Sequence, residues 1–184
     1  MSKHGTRIGT FAVGGIGTLV VGLAIFTPVA QTGAPQECFG KPVTIQGDNG
    51  NDNIIGTSAN DVIDAGNGEN DVDGKQGNDR ICGGKDGDDL FGNQGNDKMA
   101  AGGSIDFVAG NKGDDLHIGG GGDDQLNAAQ DALATDEDVA RGGKGQFDYV
   151  DVADGEDNDL ASGGLGAGDE CPADAGDETR ACEF

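Results

Sequence analysis

Tryptophan is absent from the 184-residue chain, and aromatic residues make up only 4% of it. A two-layer globule of this length offsets chain entropy by burying many large apolar side chains. That scarcity therefore excludes an ordinary enzyme-like core. Basic residues are few as well: 11 Lys and Arg stand against 34 Asp and Glu, a formal charge of −23. A surface of that sign repels a polyanion, so nucleic acid is excluded as a partner. Histidine occurs only as His4 and His117, and there is no His-Glu-x-x-His run, nucleophile elbow or phosphate-binding loop. What abounds is glycine, with 37 residues, about three times its usual share. Three kinds of chain fit: a disordered acidic polymer, a repetitive fold, or a fold completed by cations.

Lys3, His4 and Arg7 precede an uncharged run from Ile8 to Thr27, and no acidic residue occurs before Glu37. Ala30, Gly33 and Ala34 offer small residues to a signal peptidase. The pattern predicts a signal peptide over residues 1–30 and a secreted, extracellular product. Retention as a membrane anchor is the alternative, and Gly9, Gly14, Gly15, Gly17, Gly22 and Pro28 weaken it. After cleavage no membrane association is expected. The four cysteines, Cys38, Cys82, Cys171 and Cys182, are too widely spaced for a zinc site. An even count in an exported chain points to two disulfides, with three pairings open. Proximity favours Cys171–Cys182 and leaves Cys38–Cys82.

From Gly47 the chain aligns in blocks of nine, without a gap, as far as Asn127. Column one reads Gly47, Gly56, Ala65, Gly74, Gly83, Gly92, Ala101, Gly110, Gly119. Column six reads Asp52, Asp61, Asn70, Asp79, Asp88, Asp97, Asp106, Asp115, Asp124. Column eight is apolar except for His117: Ile54, Ile63, Val72, Ile81, Leu90, Met99, Val108, then Leu126. An acidic share of 34 in 184 would place about 1.7 acidic residues in nine positions, and column six holds eight. The period is real. Glycines at columns one and four are expected to take positive φ and turn the chain tightly. The apolar eighth residue sits in a three-residue strand and points inward. A turn of six plus a strand of three makes half a coil, so two blocks close one circuit of a parallel β-helix.

Blocks such as Gly119-Gly120-Gly121-Gly122-Asp123-Asp124-Gln125-Leu126-Asn127 resemble the nonapeptide of hemolysin-type, RTX-like calcium-binding repeats. Gly74 to Cys82 and Gly92 to Ala100 are near matches. The resemblance implies an all-β parallel β-roll with Ca²⁺ between turns of successive coils, held by loop carbonyls and the sixth-column side chains. It assigns Asp52, Asn70, Asp88, Asp106 and Asp124 to one edge, and Asp61, Asp79, Asp97 and Asp115 to the other. Asn70 offers an oxygen without charge, so its site should be weaker. Ala59, Asp86 and Ser104 depart from glycine in column four. At His117 a one-residue slip would turn Leu116 inward and make Asp114 the ligand.

Five segments are expected: the signal over 1–30, an N-terminal cap strand over 31–46, the repeats over 47–127, degenerate repeats with an insertion over 128–170, and a cysteine-closed tail over 171–184. A short helix is the reading for Ala128 to Asp138, with Asp148 and Asp159 as candidate outer ligands. The apolar spine is thin, and facing rows of carboxylates repel each other, so the apo chain is expected to be largely disordered and to fold on meeting calcium. Calcium suits carboxylate and carbonyl oxygens in flexible geometry, whereas magnesium demands strict octahedra. The chain reads as a monomeric, non-enzymatic calcium-binding protein with a structural, surface or matrix role. A small secreted enzyme or accessory module, and a disordered acidic calcium buffer, are the alternatives.

Overall fold

The computed structural model describes residues 19–21, 37–128, 137–153, 159–173 and 175–182. Apart from Leu19–Val21, the segment read as a signal peptide lies outside them, as do residues 129–136, most of the expected helix. Among the described residues every regular element is a strand. The strands wind into a β-solenoid of about seven turns.

Glycine-rich turns are too tight to let the chain travel, so each block returns it one strand-width away, on the opposite wall. Odd-numbered blocks feed one wall: Asn53–Ile55 pairs with Asp71–Asp73, which pairs with Asp89–Gln94, then Phe107–Lys112, Gln125–Asn127 and Tyr149–Asp151. Even-numbered blocks feed the other, from Ile45–Gln46 through Val62–Asp64, Arg80–Cys82, Lys98–Gly103 and Leu116–Gly121 to Val139–Gly143, Leu160–Gly164 and Glu178–Arg180. Within these two walls every pairing is parallel. The register step is 18 residues through the repeats, as in Ile54↔Val72 and Ile63↔Ile81. Beyond them it lengthens, as in His117↔Ala140, Leu126↔Val150 and Ala140↔Ala161.

The core is two single-file ladders facing each other. Ile54, Val72, Leu90, Val108, Leu126 and Val150 line one wall; Ile63, Ile81, Met99, His117, Ala140 and Ala161 line the other, all of them buried. His117 is fully enclosed while Leu116 is only half-buried, so the repeat keeps its phase there and no slip occurs.

The positive-φ positions meet expectation at column four and depart from it at column one. They fall at columns two and four, as in Gly66, Gly102 and Gly120 and in Gly68, Gly77, Gly95 and Gly122. Lys75, Asn93, Asn111 and Ser104 take the same conformation without being glycine. Column one needs glycine for a different reason, which is room. A Cβ on Gly92 would lie 2.3 Å from Asp97 Oδ2, and one on Gly83 would lie 2.4 Å from Asp88 Oδ2. Such distances are far inside contact range, so the missing side chain creates the space that the carboxylate uses.

Both ends are stapled. The cap strand expected over 31–46 divides: Lys41–Pro42 forms a short antiparallel hairpin with Glu37–Cys38, and Ile45–Gln46 continues into the wall. Cys38 is bonded to Cys82, tying the hairpin to the fourth block, and Cys171 is bonded to Cys182 at the far end. Leu19–Val21 runs parallel to Asn53–Ile55 and covers that wall's first edge.

Candidate metal centre

Each sixth-column residue stands where a turn enters a strand, so its side chain folds back under its own loop. One carboxylate oxygen has a structural duty that the sequence did not reveal. Oδ1 accepts a hydrogen bond from the backbone N–H of the equivalent residue one coil earlier. On one edge Asp52 donates to Asn70, Asn70 to Asp88, Asp88 to Asp106 and Asp106 to Asp124, at 2.8–3.1 Å. On the other, Asp61 donates to Asp79, Asp79 to Asp97 and Asp97 to Asp115, all at 2.7 Å. All nine sixth-column residues are thus brought into two continuous ladders.

The ladders run on beyond the repeats. Asp124 donates to Asp148 and Asp148 to Asp169; on the other edge Asp115 donates to Asp138, Asp138 to Asp159 and Asp159 to Asp177, at 2.8–3.3 Å. Sequence reading had picked out Asp148 and Asp159 but missed Asp138, Asp169 and Asp177. Gly163-Gly164-Leu165-Gly166 before Asp169 was a usable signal, hidden by the residues inserted between coils.

The second oxygen, Oδ2, faces the space left by the column-one glycine. In the first coil the loop fills that role: Asp52 Oδ2 accepts from the Asp48 N–H, and Asp61 Oδ2 from the Thr57 N–H and hydroxyl, at 2.7–2.8 Å. Deeper in the stack this stops. Oδ2 of Asp79, Asp88, Asp97, Asp106, Asp124 and Asp148 is buried with no hydrogen-bond partner. A backbone carbonyl of the next coil faces the same space: Gly92 at Gly74, Ala101 at Gly83, Gly142 at Gly119, Gly163 at Gly142. Carboxylate and carbonyl oxygens converge there without a donor between them.

Such an arrangement costs free energy as it stands, because a buried acceptor without a partner forfeits its hydration. Burial pushes the Asp97 and Asp106 carboxyls up to about 7 and those of Asp79, Asp88 and Asp124 up to about 6. The backbone N–H bonds oppose the rise, and neighbouring carboxylates add to it. A hard divalent cation relieves all three costs at once: it supplies the missing partner, neutralises the charge and accepts six to eight oxygens in adaptable geometry. Among the described residues no three His, Cys, Asp or Glu side chains converge on one metal position. The donor set is therefore one carboxylate per loop joined by main-chain carbonyls, the kind of oxygen set calcium takes.

Two positions break the pattern. At Asn70 the charge is missing, the amide donates to the Gly68 carbonyl at 2.9 Å, and Ala65, like Ala101 in the seventh block, puts a methyl where the glycine blocks leave room. That cradle is neutral, filled and self-satisfied. At Gly110 the atoms nearest a Cβ would be Asp115 Oδ2 and, instead of a carbonyl, His117 Nε2.

The fold and the paired oxygen cradles define a cation-completed β-solenoid. Residues 46–81, 83–116 and 91–126 each match the family model described as RTX calcium-binding nonapeptide repeat (4 copies). Residues 46–126 are RTX calcium-binding repeats, and calcium is the ion such repeats bind. No curated protein and no solved structure matches the chain. Among the described residues no helix is long and apolar enough to cross a membrane.

Proposed function

We propose that Asp79, Asp88, Asp97, Asp106, Asp115 and Asp124 ligate calcium between successive coils, with Asp52, Asp61 and Asn70 as weaker terminal or neutral positions. The observation that carries this reading is the buried Oδ2 atoms of Asp79, Asp88, Asp97, Asp106 and Asp124, which lack a hydrogen-bond partner on both edges, those of Asp79, Asp88, Asp97 and Asp124 facing the room left by a glycine. Asp148, aligned in the same ladder, extends the set into the C-terminal coils. Filling these cradles converts an acidic, thin-cored chain into a stiff rod.

The chain acts outside the cell as a calcium-dependent structural or surface-associated module rather than as an enzyme. Its basic, then uncharged N-terminus reads as an export signal, and two disulfides suit an oxidising compartment. Extracellular calcium would then switch the fold on after export. Capped ends support a monomer, since neither wall offers a long open edge at the stapled termini.

Calorimetric titration with calcium tests the ligand assignment. Asp97→Asn and Asp124→Asn are each expected to lower the number of ions bound and weaken the remainder. Unchanged stoichiometry in both variants would overturn the assignment.

A further inference from the structure

On each side of an inward residue, columns seven and nine point out of the wall. The two outer faces built this way differ in sign. The even-numbered wall presents Arg80, Lys98, Arg141 and Arg180 flanking an aliphatic patch of Leu116, Ile118, Val139 and Leu160. Lys98 and Arg141 are exposed, and the four aliphatics are half-buried. Of this wall's acidic residues, Asp64 is buried at the hairpin end and Glu178 pairs with Arg180. The odd-numbered wall carries Asp71, Asp73, Asp89 and Asp151 at the same columns, with Phe91, Phe107 and Tyr149 among them and no Lys or Arg. The Phe91 and Phe107 rings lie together, their centroids 5.6 Å apart. Lys75 and Lys112 lie past column nine, and Lys75 pairs with Asp73.

A face drawn at random from 34 acidic and 11 basic residues would be acidic, and the even-numbered wall inverts that ratio. One end of it already carries a cover. The hairpin of Glu37–Cys38 and Lys41–Pro42 lies against Val62–Asp64 and Arg80–Cys82, tied there by Cys38–Cys82, and Val62 is buried although its column points outward. Among the described residues no other strand lies over either wall.

We propose that the basic, aliphatic outer face of the even-numbered wall, from Lys98 onward, docks on the acidic, aromatic outer face of the odd-numbered wall of a second copy of this chain. Charge selects that pairing. Like walls face to face would set Lys98 and Arg141 against their own kind, or Asp71 and Asp89 against theirs. Unlike walls bring basic onto acidic groups and close aliphatic and aromatic side chains between two sheets at the usual spacing of about 10 Å. A Lys or Arg placed over the Phe91–Phe107 pair gains a cation–π contact as well. Because the contact joins two different surfaces, it does not close on itself, and each added copy offers a fresh pair of walls. The stapled ends stop growth along the rod, so the stacking is sideways, and the dilute chain stays monomeric. This inference rests on the calcium reading, since filled cradles remove much of the negative charge that otherwise holds copies apart. It makes the chain itself the partner of the structural module.

The test follows self-association of the full chain in millimolar calcium by analytical ultracentrifugation, with circular dichroism checking the β fold. The parent is expected to form an open series of species that grows with concentration and shrinks as salt is raised. Lys98→Glu with Arg141→Glu reverses one wall, and Asp71→Lys with Asp89→Lys reverses the other. Each double variant is expected to associate with itself about a hundredfold more weakly than the parent. Mixing the two is expected to restore association, because each wall of one variant then meets an opposite wall of the other. A parent that stays monomeric as concentration rises, a series that stops at a dimer, or variants that associate as the parent does would overturn the proposal. A mixture no more associated than its parts would do the same. If a variant does not fold, the parent's concentration series decides alone. A chain that folds in calcium yet never associates leaves the calcium reading standing, whereas a chain that calcium does not fold sinks that reading and this one with it.

Discussion

The strict repeats and the coils that follow them solve one geometric problem with different degrees of regularity. From Asn53 to Asn127 every coil takes 18 residues, and branched or long aliphatics fill nearly every inner slot. Beyond Asn127 the register steps from Leu126 to Val150 and from His117 to Ala140, and the second wall's inner residues shrink to Ala140 and Ala161. The aspartate ladder nevertheless continues unbroken on both edges. What the fold uses is an aspartate or asparagine under each turn, glycine or alanine opposite it in the repeats and an inward slot. The nine-residue period is only the shortest way to supply them. The C-terminal coils, with less hydrocarbon, are closed by Cys171–Cys182 instead.

The largest contrast should come from pH in the absence of metal. The carboxyls raised to about 6 or 7 belong to Asp79, Asp88, Asp97, Asp106 and Asp124, all in the strict region. A carboxyl with a raised folded-state pKa holds its proton longer folded than unfolded, so its contribution favours the fold below about pH 4 and is lost as pH rises through 6–7. In EDTA, circular dichroism should therefore show more β structure near pH 4 than at pH 8, and hydrogen exchange should place the loss in residues 71–127. A pH-independent spectrum, or loss confined to residues 137–182, would break the distinction.

Core truncation comes next. In calcium, Leu90→Ala should cost about 2–5 kcal/mol in urea denaturation, because a buried, ladder-centred side chain leaves a cavity between two coils. At the other end Thr179→Ala should stay within about 0.5 kcal/mol. Removing the terminal bridge with Cys171→Ser and Cys182→Ser should cost about 2–4 kcal/mol. Exchange should then quicken at Val150 and Ala161 while Val72 and Leu90 stay protected. The smallest change is constructive: Ala65→Gly with Asn70→Asp rebuilds the neutral cradle and should raise the calcium stoichiometry measured by calorimetry. No gain there would mean that the methyl and amide at this position are incidental.

Much of this was legible in the residues. The column-six aspartates and column-eight aliphatics announced a two-block coil, because a side chain that must point inward every ninth residue leaves little choice of winding. The cradle was not legible, since it depends on where Oδ1 goes. That oxygen is claimed by an amide one coil away, a partner no local pattern names. Glycine's role was half legible. Its abundance signalled turns, but only geometry separates the positive φ of Gly122 from the space opened at Gly92. Asp138, Asp169 and Asp177 escaped because insertions broke the count while leaving the ladder intact. His117 looked like an interruption, and only its burial in the ladder between Met99 and Ala140 shows that it keeps the inward slot.

The most direct test strips the protein with EDTA at pH 8 and returns calcium while following the far-ultraviolet circular dichroism spectrum. The account predicts a weak, disordered spectrum that converts cooperatively to β structure in millimolar calcium and that magnesium does not reproduce. A spectrum already β-rich in EDTA and unmoved by calcium would contradict it.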